Sequence, residues 1–315
     1  MKKPLNNTHR QIFCYNKDIG HLFVPNLNAR IINEKGGYYV RTNSLGFRSN
    51  FEFKKKKGNK PRIIFFGDSN TAADGVSNNE RFSELLGKYF EAEVYNFGLS
   101  GSGTDQQYLI WKNYAQKVDA DLIILGVLVE NIERNKVAYR ESINPFNKKS
   151  VLTPKPYFEL EENELKLKNY PVPRISPDLN DIDPRMVQWT IPKDQEMIYK
   201  IVKLWRKNNI TKSINNKFGP FLKRLRSLLI KTAYQPYKDY GKPNSQGYLL
   251  MREILVKFIN ELYPTPVLIL PIPTYHYYVD GAKPTYKKFF NYFHNPEKKI
   301  YVLDLLKEIK NLDYE

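Results

Sequence analysis

Residues 63–75, IIFFGDSNTAADG, limit what this chain can fold into more than any other stretch. An uninterrupted apolar run ends abruptly in Gly67-Asp68-Ser69-Asn70. A short run without polar alternation suits a strand covered on both faces, as in a parallel sheet. VYNFG (94–98) and DLIILGVLV (121–129) are two further runs of this kind. Between the first two, ERFSELLGKYF (80–90) spaces Phe82, Leu85, Leu86, Tyr89 and Phe90 onto one face of a helix. Thr104 and Gln107 read as a Thr-x-x-Gln capping box. The helix behind it turns Tyr108, Trp111, Ala115 and Val118 to one side. The order β-α-β-α-β with short connections predicts a parallel sheet covered by helices on both faces.

The flanking segments read differently. Residues 1–61 lack clear periodicity and suggest an N-terminal arm of short strands and turns, ending in a lysine run at 54–60. Residues 62–135 form the first half of the α/β domain. Residues 136–245 are Pro-rich, basic and mixed, and read as an insertion or lid. Within them PYFELEENELKLKNYPVP alternates like a hairpin. FGPFLKRLRSLLIK (218–231) reads as a basic amphipathic helix packed on its own domain. The α/β pattern returns over 246–315, with a helix at 248–262, a strand at 266–273 and a last strand and turn in KKIYVLDLLKEIKNL.

Composition narrows the function classes. With 315 residues, 41% apolar and 14% aromatic, the chain can bury a sizeable core. No run approaches the ~18 apolar residues of a membrane-spanning helix. MKKPLNNTHRQIF has no apolar segment behind its lysines, so the chain reads as cytoplasmic. Cys14 stands alone, and His9, His21, His276 and His294 show no metal-ligand spacing. The formal charge of +17 fits either attraction to an anionic partner or a general lysine bias; the even spread of lysines favours the bias. The Lys-rich segments lack regular aromatic interleaving, so nucleic acid is not an expected partner.

Ligands of an open parallel sheet sit at the carboxyl ends of its strands. Gly67-Asp68-Ser69-Asn70, Asn96 to Gly103 and Glu130-Asn131 all fall there. That edge therefore collects a hydroxyl, a glycine turn and a side-chain amide. Acyl transfer through a serine needs a nucleophile and donors aimed at the developing oxyanion. The Ser69 and Gly101 backbone N–H groups and the Asn131 amide could supply such a hole. Each part also has an ordinary use. Asp and Ser cap helices, a glycine turn can cradle phosphate, and Asn131 can be a turn residue. GLSGSG is not Gly-x-Gly-x-x-Gly and no Walker Lys-Ser/Thr follows, so a nucleotide site is poorly supported.

Taken in order, the three stretches resemble the SGNH/GDSL hydrolases, serine esterases and acyl-transfer enzymes. FFGDSNT resembles their first block and aligns Ser69 with the nucleophile. VYNFGLSGSGTDQQ resembles the second and aligns Gly101 with the oxyanion-hole glycine. LGVLVENIERN resembles the third and aligns Asn131 with the oxyanion-hole asparagine. TNSLGFRS (42–49) is similar to a lead-in of bacterial members near polysaccharide-modification genes. The likeness covers roughly residues 38–135 well and 248–310 loosely. It implies a three-layer flavodoxin-like sheet with an inserted mixed segment, and no metal or organic cofactor. It also implies hydrolysis or transfer of a small acyl group, such as acetyl, on a carbohydrate. Asp68 would position the turn.

Two departures stand out. Ile132 follows Asn131 where the family has Asp, which leaves the amide intact. More seriously, the family's closing Asp-x-x-His, its base and orienting acid, occurs nowhere in this sequence. DGAK (280–283) imitates it with lysine, but precedes the last strand and reads as a decoy. Three explanations stand: a closing block beyond Glu315, a degenerate member that binds an anionic glycan without catalysis, or a substitute base. For the last, His276, just past a strand end, is better placed than His294.

Overall fold

The computed structural model describes residues 12–32, 36–143, 150–175, 177–178, 181–188 and 234–312. Fourteen strands in chain order make up its sheets: β1 (Phe13–Asn16), β2 (Gly20–Phe23), β3 (Asn28–Ile31), β4 (Tyr38–Arg41), β5 (Arg62–Gly67), β6 (Glu93–Asn96) and β7 (Leu122–Leu128), then β8 (Tyr139–Ile143), β9 (Ser150–Pro154), β10 (Tyr157–Glu161), β11 (Glu164–Lys168), β12 (Val187–Gln188), β13 (Val267–Ile272) and β14 (Ile300–Val302).

The central sheet has the order β14-β13-β7-β5-β6 and every pairing in it is parallel. Its register places Phe66 beside Leu125 and Leu125 beside Ile269. All six residues of β5 are buried, which is why this stretch carries no alternation. Ile64 and Phe66 join the larger core, while Ile63 and Phe65 pack with Val94 and Ile124 in a smaller one on the other face. Helices cover both faces, and the arrangement is the three-layer α/β fold expected from the sequence.

Among the described residues, eight α-helices of 4 to 17 residues accompany the strands. The first six in chain order are α1 (Ser69–Ala72), α2 (Phe82–Tyr89), α3 (Thr104–Ile110), α4 (Asn131–Arg134), α5 (Gln246–Leu262) and α6 (Tyr275–Tyr278). Helix α5 buries Leu250, Met251, Ile254, Leu255, Phe258, Ile259 and Leu262 against the larger core. Each of these side chains adds about 2 kcal/mol by leaving water. Among the described residues no helix is long and apolar enough to cross a membrane.

Two local expectations are corrected. The apolar face of α2 points outward: Phe82, Leu85, Tyr89 and Phe90 are exposed, while Ser83 and Gly87 are buried. A Cβ on Gly87 would lie 2.5 Å from Val94 Cγ2, so the helix docks closely through its small residues. The second correction concerns the cap of α3. Gly103, not Thr104, is the N-cap residue, and its N–H donates to Gln106 Oε1 at 3.1 Å. Thr104 is helical, and its hydroxyl serves Asn131 instead.

Within 12–49 the described chain forms two antiparallel hairpins, β1–β2 and β3–β4. Past residue 136, β8 lies between β9 and β12 in a three-stranded sheet, and β10–β11 is the hairpin read from its alternation. Buried Lys155 reaches from this region to buried Asp105 on α3 in an ion pair. The amphipathic stretch 218–231 lies outside the described residues, as does His9.

Candidate active site

Strand β5 ends at Gly67, and its closeness to neighbours explains the glycine. A Cβ there would fall 1.9 Å from Thr71 Oγ1 and 2.9 Å from the Gly126 carbonyl. Asp68 follows as the N-cap of α1, accepting from the Asn70 backbone N–H at 3.0 Å and from Asn70 Nδ2 at 3.1 Å. Ser69 is therefore the first residue of a helix that starts directly at the strand end. It is half-buried, while Asn70 beside it is exposed.

The lead-in at 42–49 braces the other end of α1. Asn43 Oδ1 accepts from the Leu45 and Phe47 N–H groups, and Gly46 takes φ +81°. This turn delivers Arg48, fully buried, to the helix C-terminus. There Arg48 donates to the Ala72, Ala73 and Val76 carbonyls at 2.7 to 2.9 Å and to Asn78 Oδ1. A cation suits helix carbonyls that lack intrahelical partners. Burial pushes its pKa down to about 10, with the nearby Arg81 charge acting the same way.

The second loop is tied to the first. Gly67 O accepts from Leu99 N–H at 3.0 Å and from Ser102 Oγ at 3.2 Å. Ser100 Oγ donates to Asp74 at 2.7 Å. Gly98 sits against α1, since a Cβ there would lie 2.4 Å from Ala72 N. These contacts bring Gly101 to the loop bearing Ser69. Gly101 has φ +81°, which favours glycine.

The third stretch is bonded to the other two. Asn131 opens α4 and is fully buried, with Nδ2 donating to Thr104 Oγ1 at 3.1 Å. Its Oδ1 has no hydrogen-bond partner. One turn on, Arg134 Nη1 lies 3.2 Å from Asp68 Oδ2 and 3.3 Å from the Ser102 carbonyl, and its Nε contacts Glu130 at 3.2 Å. Arg134 thus ties all three loops to one cation. Burial raises the Asp68 pKa despite the opposing pull of Arg134, and Glu130 and Asp68 raise that of Arg134 against its own burial.

The histidines separate. His276 lies on α6, past the end of β13, with Nδ1 3.3 Å from Asp280 Oδ2 and hydrogen-bonded to Tyr234 Oη. Asp280, read from sequence as the start of a decoy, is buried and gives this histidine a carboxylate. His294 is exposed and accepts from the Val302 N–H on edge strand β14. His21, from the arm, places Nε2 2.9 Å from the Ser100 carbonyl. Among the described residues, Ser69 Oγ makes no hydrogen bond, and no group of three metal-ligating side chains is present.

Sequence reasoning named Glu130 and Asp280 only as parts of the third stretch and of DGAK, and gave no role to Arg48 or Arg134. Only Asp280 had a local signal, the i,i+4 spacing from His276. The others depend on which loops meet.

No protein-family model matches the chain, and no curated protein does. Among solved structures the chain is similar to AlinE4, an SGNH-hydrolase family esterase. The two are 12% identical with a TM-score of 0.36, over 81% of this chain and 82% of that one.

Proposed function

We propose that the chain performs acyl-ester chemistry of the SGNH type at Ser69, hydrolysing or transferring a small acyl group such as acetyl on a carbohydrate. The observation behind this reading is that the Gly67 carbonyl accepts from both Leu99 and Ser102. That contact makes the Ser69 turn and the Gly101 loop one unit.

In this reading Ser69 Oγ attacks the ester carbonyl and passes its proton to a base. The carbonyl oxygen becomes an oxyanion facing the Ser69 and Gly101 N–H groups and the Asn131 amide. The C–O bond to the alcohol then breaks, and the alcohol leaves with the proton. Water or an acceptor hydroxyl repeats the sequence on the acyl-serine and releases Ser69. Asp68 holds the turn. The base we assign is His276, with Asp280 at Nδ1 fixing its tautomer and Nε2 taking the proton, as in triad-type sites. The substrate needs no metal in this scheme.

The test is turnover of p-nitrophenyl acetate, and labelling by a fluorophosphonate, in the unaltered chain and in Ser69→Ala. Turnover and labelling that vanish with Ser69→Ala are the expected result. The rival reading, an inactive SGNH-like domain that binds an anionic glycan, draws on the bare Ser69 hydroxyl among the described residues. Absent turnover and labelling in the unaltered chain would decide for it.

A further inference from the structure

Arg140 stands on β8 beside the candidate site, and nothing above gives it a role. Strand β8 is the middle strand of its small sheet, paired with β9 on one side and β12 on the other. The backbone at Arg140 is therefore held on both sides. Its guanidinium lies against Gly101: a Cβ on that glycine would fall 1.8 Å from Arg140 Nη1. The residue is exposed. Among the described residues it makes no ion pair within 4 Å and no side-chain hydrogen bond.

Arg134, its neighbour in the site, behaves oppositely. It is buried and fully engaged by Asp68, Glu130 and the Ser102 carbonyl. The nearby carboxylates Asp68, Glu130 and Asp74 favour a charged Arg140, while desolvation of its head group and the Arg134 charge oppose it more strongly. One arginine thus builds the loops, and the other, on an exposed residue, rests its largely desolvated planar fork beside the Gly101 turn, uncommitted to any carboxylate or carbonyl among the described residues. A guanidinium matches a carboxylate in two parallel N–H···O bonds, which an ammonium cannot reproduce.

We propose that Arg140 is a specificity residue that binds a carboxylate on the substrate, so that the ester accepted at Ser69 is an acidic one, such as an acylated uronic-acid sugar. This rests on the Ser69 reading for the reaction, while carboxylate binding itself does not.

The test compares the unaltered chain with Arg140→Gln and Arg140→Lys, each checked for fold by circular dichroism. The substrates are neutral phenyl acetate and 4-acetoxybenzoate, which differ by one carboxylate. The ratio of kcat/KM, acidic over neutral, is expected to fall about 10-fold or more in Arg140→Gln, the worth of one charge-assisted hydrogen-bond pair. Arg140→Lys should fall in between. An equal drop for both esters would instead make Arg140 a general oxyanion stabiliser and overturn the proposal, as would an unchanged ratio. In parallel, trigalacturonate is titrated calorimetrically into the chain and into Arg140→Gln at low and high salt. Binding that weakens about 10-fold in the variant supports the carboxylate site even if no ester is turned over, a result that would refute only the Ser69 chemistry. Equal affinity in both proteins, or no binding to either, counts against the site itself.

Discussion

Arg134 Nη1 lies 3.2 Å from Asp68 Oδ2, although 66 residues separate them. The pair joins the turn that carries Ser69 to the helix that carries Asn131. Both partners are buried, and Arg134 also reaches the carbonyl of Ser102. Asp68 so has two duties: it caps α1 locally and anchors the third loop at long range.

Replacing Arg134 by Met leaves the Asp68 carboxylate buried without its cation. A loss of about 3–5 kcal/mol is expected by urea unfolding. Asp68→Asn should cost less, because an amide oxygen can still accept from the Asn70 N–H. Equal costs would show that the cap, and not the ion pair, dominates.

The pH dependence of stability follows from the raised pKa values of Asp68 and Asp105, for each of which burial is the leading cause. A carboxyl whose folded pKa exceeds its unfolded one holds its proton longer in the fold. Its contribution is present below the unfolded value, near pH 4, and is lost as pH rises towards the folded value. Unfolding free energies of the unaltered chain and of Asp68→Asn, compared from pH 3 to pH 7, should show a shallower decline in the variant. A steeper decline would reverse the assigned sign.

Asn131→Ala removes one proposed oxyanion donor. The expected effect is a fall in kcat of about 100- to 1,000-fold with little change in KM. If the amide serves only Thr104, to which it donates at 3.1 Å, the variant will lose stability and keep its kcat.

His276→Ala should reduce turnover to the level of Ser69→Ala, and Asp280→Asn should lower kcat steeply, on the order of 10,000-fold, through loss of the tautomer. Both are read from p-nitrophenyl acetate kinetics beside Tyr234→Phe, which keeps the carboxylate partner. Full activity in His276→Ala would place the base elsewhere in the chain.

Arg48→Lys cannot replace five donors with three. The buried Ala72 carbonyl, the half-buried Ala73 carbonyl and that of Val76 then share fewer donors, and a destabilisation of about 2 kcal/mol is expected from thermal unfolding. A variant as stable as the parent would show that water satisfies Ala72, Ala73 and Val76 just as well.

What the sequence determined by itself was local and periodic. The runs at 63–67 and 122–128 announce buried strands because nearly every side chain in them leaves water, and 267–272 follows with alternate residues fully buried and the rest half-buried. Their turn residues place the candidate groups at one edge because a parallel sheet collects its carboxyl ends there. His276 and Asp280 were legible too, but in the reverse order from Asp-x-x-His and one residue further apart. Only the tertiary structure decided which surfaces meet. The apolar spacing of α2 is helical whichever way it faces, and the tight seat of Gly87 on Val94 turns the large side chains outward. Arg134 and Arg140 are equivalent in sequence as two basic residues, yet one is buried between two carboxylates and the other, an exposed residue, lays its guanidinium against Gly101 without an ion-pair partner among the described residues. Burial and partner choice arise from contacts between distant segments, and no local pattern encodes them.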